Sequence, residues 1–582
     1  MISRRASFLA LCAALVPPVA TYGQTLDTSV AEERESTTLP EVVVVAETPG
    51  YLPQTWTTST RIQLPVMETP RSVQVFSREV IDDLNPATIE DIVTRSANVV
   101  FLGDNDGREN TFIIRGFEGA PVLRDGFRLE SFGGIMDPEI YGLERIEVLK
   151  GPDSILYGEA NPGGLINLVS KRPLKQRQLE MELEVGSFGS ISPRFDIGGP
   201  LFGYGALAGD GKNPPIYSDR GVHYRLVGLY RYDEGFRDYF GANHRFYLAP
   251  SVTIDFSART SLKLLAYLTY DDNYADFGIG LSAQGDIVAP VGRVNNHPQD
   301  RLERGNYIVG YDLRHELGGG WTVENRLRYV YSNYEYSAIL LPLSFDATTG
   351  IYDRAPAFQY QNNQEIATQL NLSGDHEIGG FRNRLFAGFD FRFSTVENFT
   401  RFDPVNLVPI NYYSPNYAVF PPSIGDIPVF TGGYQNDEIT RYGVYLQNHF
   451  NITKNLIISG GVRYDDVDRK PTGESGVPNH EQAWSFQAGI VYEITDSLSV
   501  YGSYSESFNP NFGVDINGLP LEAETGEGFD VGIKATPAGR APLCERVLLL
   551  HQQVQYRHRG HQRPGLSLRC LDRRWRAAQP GL

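Results

Sequence analysis

Long stretches of two-residue alternation limit what this chain can become. In Val222–Asp233 the even positions Val222, Tyr224, Leu226, Gly228, Tyr230 and Tyr232 form one face, and His223, Arg225, Arg231 and Asp233 lie on the other. The same grammar returns at Leu262–Tyr270, Leu456–Tyr464, Trp484–Ile494 and Leu498–Tyr504. A period of two is the period of a strand. Aromatics near the strand ends, with charges on the opposite face, suit lipid outside and water inside. Lipid offers no hydrogen-bond partner to an open sheet edge, so spanning strands must close on one another. Short turns at Ile452–Asn455 and Thr495–Ser497 contrast with long connections at Asp271–Arg304, Pro342–Gln364, Phe402–Glu438 and Tyr464–Gln482. That asymmetry fits periplasmic turns and extracellular loops. Composition agrees: 33 Tyr and 31 Phe against 4 Met, 4 Trp and 3 Cys. A net charge of −18 argues against nucleic acid, whose binding needs clustered basic surface.

Residues 1–23 read as a secretory signal, with Arg4 and Arg5 before the apolar core Ala6–Val16. The core is too short to span a bilayer. Cys12 lies inside it, and Cys544 and Cys570 lie near the end of the chain, so the body carries no disulfide framework. Residues 24–60 form an N-terminal segment. It contains Thr38–Glu47 (TLPEVVVVAE) and a Pro- and Gly-bearing linker, Thr48–Thr60. The β-branched run is either an ordinary edge strand or a strand that a partner recruits to its own sheet edge.

Residues 61–175 change character. Val73–Phe76 reads as a short strand and Ser77–Leu84 as a helix stopped by Asn85-Pro86. Thr88 with Asp91 spells a capping box. Leu143–Pro173 (LERIEVLKGPDSILYGEANPGGLINLVSKRP) is a tight unit of strand, Gly151-Pro152 turn, short apolar segment, Gly158–Gly164 breaker cluster and second strand. With Ile113–Phe117 (IIRGF) and Leu123–Phe127 (LRDGF), this stretch resembles the plug domain of TonB-dependent outer-membrane siderophore receptors of the ferrichrome type. The resemblance runs from about Thr38 to Lys534.

The resemblance implies a mainly β fold: a transmembrane antiparallel barrel over residues 176–534, plugged by an α+β domain over 61–175. It makes Thr38–Glu47 a TonB box, with Leu39, Pro40, Glu41, Val42, Val43, Val44 and Val45 meeting TonB. It places basic plug residues at Arg115 and Lys150, and an acidic wall residue at Asp530, where the family pattern has Glu. A lysine at position 150 keeps the charge but loses the bidentate fork of arginine. A second acidic partner would come from later strands, absent here. Ligand contacts are expected where plug loops meet extracellular loops: Arg108, Glu118, Gly119 and Phe132 on the plug, and Tyr412, Tyr413 and Tyr417 in the aromatic stretch Asn411–Tyr434. Such tyrosines can wrap a bulky chelate. They can equally pack loop on loop.

No nucleophile, base and orienter assemble, and there is no Cys-x-x-Cys, HExxH or phosphate-binding loop, so no catalytic residue is expected. His223 and His449 are read as ordinary strand residues, and no metal site is assigned. The expected function is import of ferric siderophores at the outer membrane, with iron as cargo and no cofactor. The expected partners are TonB with its inner-membrane complex, the ferric siderophore and outer-membrane lipid. Four observations weigh the rivals. A passive porin lacks a plug. A haem importer would carry an axial histidine that IIRGF and the plug apex do not supply. A cobalamin importer shares the architecture, and a truncated receptor would transport nothing.

The grammar stops at Lys534. Residues 535–582 contain no Phe and no Lys and are rich in Arg. They read either as a genuine basic tail or as the product of a reading-frame shift near codon 535. The frame-shift reading predicts that another frame of the coding DNA restores Phe- and Tyr-rich alternation downstream. Sequencing codons 525–550 and translating every frame checks it.

Overall fold

The computed structural model describes residues 64–103, 110–128, 138–202, 206–207, 216–217, 220–473, 476–535 and the backbone of 544–555. The signal segment, the Leu39–Val45 run, Arg108 and Phe132 lie outside the described residues.

The first part is a small α+β unit of β1 (Ser72–Phe76), α1 (Arg78–Leu84), α2 (Ile89–Val93), β2 (Val99–Gly103), β3 (Thr111–Ile114), β4 (Phe117–Glu118), β5 (Val122–Arg124), β6 (Phe127–Arg128), β7 (Leu143–Lys150), α3 (Ser154–Tyr157) and β8 (Gly164–Ser170). One sheet runs β1-β7-β8-β5-β6, with β5 parallel to β8, and a second runs β2-β3-β4. Local chemistry sets the helix ends. The Ser77 hydroxyl accepts from the Val80 N–H, Asn85 ends α1 in the left-handed region at φ 40°, and Thr88 with Asp91 forms the capping box of α2.

The wall follows as β9 (Gln178–Val185), β10 (Ile191–Phe202), the two-residue strands β11 (Ala206–Leu207) and β12 (Ile216–Tyr217), β13 (Gly221–Asp233), β14 (Asn243–Ser257), β15 (Thr260–Tyr274), β16 (Arg301–Gly318), β17 (Trp321–Asp346), β18 (Ile351–Ile378), β19 (Phe381–Phe402), β20 (Ile410–Asn411), β21 (Val429–Asn451), β22 (Leu456–Pro471), β23 (Asn479–Thr495), β24 (Leu498–Asn509), β25 (Glu524–Ala535) and β26 (Cys544–Gln555). Leaving out the β11–β12 hairpin, these strands make one sixteen-stranded antiparallel sheet, in which β20 pairs with β18 off the main path. Among the described residues that path ends on β9 and β26, so the sheet is not closed.

Alternation decides which face meets what. Ile458 is 42% exposed, whereas its neighbour Ile457 is 1% exposed. Leu264, Val309, Phe389, Leu446, Phe486 and Val531 continue the outward apolar band. A band of that extent on a soluble protein would aggregate, and in a barrel it meets lipid. The inward face divides in two. On β13 to β17, Val227, Leu229, Tyr247, Leu265, Ile308 and Val330 join the plug's Ile140, Leu143 and Val148 in one buried cluster. On β19 to β25, charged side chains dominate the contact with the plug.

Two expectations change. Pro342–Gln364 is no long loop: β17 and β18 stay paired from Trp321↔Gly374 out to Asp346↔Ile351. Tyr464–Gln482 likewise belongs mostly to β22 and β23. In the outer halves of β17 and β18 one face packs against the connections, burying Ile339, Leu340, Tyr352, Arg354 and Ala355, so hydrogen-bonded pairing continues while the pattern of apolar outside and polar inside is lost. The strand pattern also does not stop at Lys534. β25 includes Ala535, and Cys544–Gln555 pairs with it from Ala535↔Cys544 to Thr525↔Gln555. An unpaired edge accepts backbone pairing whatever the side-chain pattern.

The glycines of Asn161–Gly164 mark close approaches of backbone to backbone in the plug. A Cβ at Gly163 would lie 2.2 Å from the Ile114 carbonyl oxygen, and one at Gly164 (φ +132°) 2.1 Å from the Leu149 carbonyl oxygen. Gly163→Ala is expected to destabilise the plug by about 1–3 kcal/mol, and Gly164→Ala by more, because backbone strain adds to the clash. Gly425→Ala, with nothing within 4 Å, should be neutral. The rate of protease cleavage within the plug in isolated membranes reads the difference.

Candidate functional site at the plug and wall interface

Two tight hairpins carry the plug's charged tips. Arg115-Gly116 (φ 54° and 90°) joins β3 to β4, and Asp125-Gly126 (φ 52° and 79°) joins β5 to β6. Positive φ at both central residues matches the right-handed twist of paired strands. This explains why IIRGF and LRDGF share a pattern.

The first tip presents Arg115 to β25. Its two terminal nitrogens each lie 3.0 Å from a carboxylate oxygen of Asp530. The side chains are 3% and 11% exposed, so the fork closes away from water. Gly151 of the Gly-Pro turn lies beneath, where a Cβ would come within 2.9 Å of the Arg115 guanidinium. The second tip buries Asp125, which accepts from the Tyr267 hydroxyl at 2.8 Å and the Ser170 N–H at 3.0 Å. Burial pushes its carboxyl up, but Lys263 and Arg328 outweigh burial and hold it down at about 2. Lys150 is buried on β7, opposite Ser72 and Gly164 in the two strand registers.

Other contacts had no local signal in the sequence. The Lys534 ammonium on β25 donates to the Val66 carbonyl at 2.9 Å and to the Thr69 carbonyl at 2.6 Å. Ser499 donates to the Met67 carbonyl at 3.1 Å, and Glu68 pairs with Arg384 at 2.6 Å. Arg71 pairs with Asp153 at 2.9 Å and donates to Gln487 on β23. Thus residues 66–71 are gripped one after another.

Deeper in the plug, Glu159 accepts from Arg441 at 2.6 Å, from Arg128 at 3.1 Å and from Arg392. Burial pushes its carboxyl up, and Arg441, Arg392 and Arg128 more than reverse that, holding it well below the usual carboxylate range. A cavity beside it, lined by Tyr157, Glu159, Glu365, Asp390, Arg392 and Arg441, has about 50 Å³ of free volume. That is room for a few waters and not for a chelate. Gly158 (φ +74°) lets the plug sit against Arg463, which a Cβ would approach to 2.8 Å.

Ala160 donates to the carbonyl of Phe508 on β24 at 2.8 Å and the Asn161 amide donates to the Glu118 carbonyl, and Glu118 and Gly119 are exposed. Gly119 (φ +78°) has open space around it. Tyr412 is 1% exposed, and Arg293 donates to its carbonyl at 2.7 Å. Tyr417 donates to the Val294 carbonyl at 2.6 Å. Both tie the 403–428 connection to the 275–300 connection; Tyr413 is 39% exposed, its carbonyl also accepts from Arg293 at 2.9 Å and its hydroxyl donates to the Ala347 carbonyl. The structure therefore sets Glu118, Gly119 and Tyr413 at accessible positions and Tyr412 and Tyr417 inside loop packing. Among the described residues no three His, Cys, Asp or Glu side chains group as a metal site.

The TonB dependent receptor-like β-barrel family model matches residues 249–541, and the TonB-dependent receptor plug domain model matches residues 65–165. The ferrioxamine B receptor of Salmonella typhimurium strain SL1344 is 27% identical over 515 residues, covering 83% of this chain and 67% of the receptor. The ferrichrome outer membrane transporter/phage receptor of Escherichia coli K12 is 26% identical over 523 residues, with coverage of 83% and 67%. Among solved structures, the FpvAI–pyocin S2 complex superposes with a TM-score of 0.73 at 22% identity, covering 84% of this chain and 62% of that chain. The ferripyoverdine receptor of Pseudomonas aeruginosa bound to ferripyoverdine gives 0.71 at 23% identity, covering 84% and 63%. The chain thus spans under two thirds of the length of these structures.

Two outcomes are expected from the site. Arg115→Ala or Asp530→Ala alone strands a buried charge and should destabilise plug seating by about 3–5 kcal/mol. The double variant should lose less than the sum, and the urea dependence of plug release reads the coupling. The second concerns Asp300 in the 275–300 connection. Burial pushes its carboxyl up to about 7, against hydrogen bonds from the His297 and Leu340 N–H groups. A carboxyl raised in the fold contributes stability that is fully present below its unfolded value near 3.8 and is lost as pH rises through 7. The protection of residues 275–300 against hydrogen exchange, corrected for the intrinsic rise of exchange with pH, should therefore fall as pH rises from about 4 to about 7, and Asp300→Asn should remove that fall.

Proposed function

As this chain belongs to the TonB-dependent receptor family, we propose that it imports a ferric siderophore across the outer membrane, energised by TonB from the periplasmic side. The observation that carries the reading is the plug itself. A folded α+β unit occupies the inside of the wall, held by buried charge pairs on one side and apolar contact on the other. A passive pore has no use for such a unit. The apolar band outside supports residence in the outer membrane.

In this reading the loops and the Glu118–Gly119 tip capture the chelate, with Tyr413 the accessible tyrosine of the loop set. Tyr412 and Tyr417 position the loops that surround it, and join the contact only when the loops part. TonB pairs with Leu39–Val45 by adding a strand. The pull reaches the plug through residues 66–71, whose contacts with Lys534, Ser499 and Arg384 it meets first. Arg115, Lys150 and Asp530 seat the plug between transport events. The work is transport: iron enters as cargo, no resident cofactor takes part, and no bond of the chelate is broken by the chain. The names of the relatives, which receive ferrioxamine, ferrichrome and ferripyoverdine, supply the chelates to try first.

The test is uptake of radiolabelled iron as ferrioxamine B and as ferrichrome, in cells carrying the wild-type gene or the Val43→Pro, Val44→Pro variant. Proline removes the N–H groups that strand addition needs. Uptake should fall to the level of de-energised cells, with surface binding unchanged. Equal, energy-independent uptake in both strains would overturn the reading.

A further inference from the structure

Arg392 on β19 and Arg441 on β21 stand directly opposite each other in the strand register. Like charges facing across two strands repel and destabilise a sheet. Three other inward arginines of the wall carry wall carboxylates of their own, whereas Arg384 leans on the plug's Glu68. Arg245 has Asp271 at 2.7 Å, Arg463 has Asp390 at 2.8 Å and Arg469 has Asp437 at 2.9 Å. Arg392 and Arg441 share one, Glu365, which lies 3.6 Å from Arg392. The charge that balances them is Glu159, and Glu159 belongs to the plug. When the plug moves, Arg463 and Arg469 keep their wall carboxylates and Arg245 keeps Asp271 while losing the plug's Glu139, and the two guanidiniums of Arg392 and Arg441 are left with Glu365 as their nearest carboxylate.

We propose that Arg392 and Arg441 form an anion site that Glu159 fills in the seated state and that a negatively charged ferric chelate fills during passage. The site requires an anionic oxygen donor able to accept from two guanidiniums at once, which carboxylate- and catecholate-bearing chelates offer. Glu159 is then an internal substitute for the cargo's own anionic group, and its return reseats the plug. The inference rests on the importer reading for its cargo, but the anion site itself can be tested without transport.

The first arm uses the full-length protein in detergent micelles and acetate as the carboxylate probe, at ionic strength matched with chloride. In Glu159→Ala, acetate should raise the melting temperature by about 2–4 °C. The wild type, whose site is filled, and the Glu159→Ala, Arg392→Gln, Arg441→Gln triple variant should not respond. A folded Glu159→Ala protein indifferent to acetate overturns the site. Should Glu159→Ala fail to fold, Glu159→Gln takes the same titration with the same two outcomes.

The second arm measures cell uptake of ferric citrate, an anionic ferric tricatecholate and a neutral ferric trihydroxamate in Glu159→Gln and in Glu159→Gln, Arg392→Gln, Arg441→Gln, so that no plug carboxylate is left stranded. Slower uptake of the anionic chelates, with surface binding unchanged and the neutral chelate unaffected, is the expected result. Equal slowing of all three, or import of the neutral chelate alone, overturns the cargo assignment. If no chelate enters wild-type cells the importer reading fails, while the acetate titration still decides the anion site.

Discussion

A buried charge is costly alone and cheap in company, and the seating of this plug depends on that difference. Arg115 with Asp530, and Glu159 with Arg392 and Arg441, sit where water cannot replace a lost partner. Each pair is nearly neutral in its contribution when both partners are present and strongly unfavourable when one withdraws. On the β13–β17 side the plug is held differently, by Val227, Leu229, Leu265 and Ile308 against Ile140 and Leu143. Apolar contact is non-directional and tolerates small slips. One side of the plug therefore specifies its position, while the other keeps it attached.

Much of this was legible in the chain. Ser77, Asn85, Thr88 and Asp91 mark the ends of two helices by local chemistry alone, and the structure places each at the expected cap. The wall strands around Ile458 and Phe486 show their two faces because lipid and lumen demand opposite residues. Where that demand ends, legibility ends. The outer halves of β17 and β18 carry residues such as Asn362, Asn363 and Gln364 and pack one face on the connections instead of presenting it to the lumen, and their sequence resembles a loop. β26 was illegible for the related reason that edge pairing needs only backbone.

The site divides along the same line. Arg115 and Asp530 could be named because each lies in a motif, and they meet. Glu159 and Arg441 lie 282 residues apart, and neither stands in a pattern that marks it as charged for a purpose. Only the curvature of the wall brings β19 and β21 to the breaker cluster of the plug. The tyrosines at 412 and 417 show the opposite hazard. An aromatic loop was visible, but composition could not tell which rings would be used up in holding two loops together.

The grip on residues 66–71 has a mechanical consequence. Lys534, Ser499 and Arg384 hold one short lead, the 3-10 turn Val66–Glu68 with Thr69 after it, and Arg71 follows. A tether drawn from the N-terminal end loads these contacts in series, so it opens them as a zipper opens and not as a sheared joint. Peak force is then set by the strongest single contact instead of by their sum. A seal firm against thermal agitation, which must break all its contacts together, can thus yield to a modest steady pull.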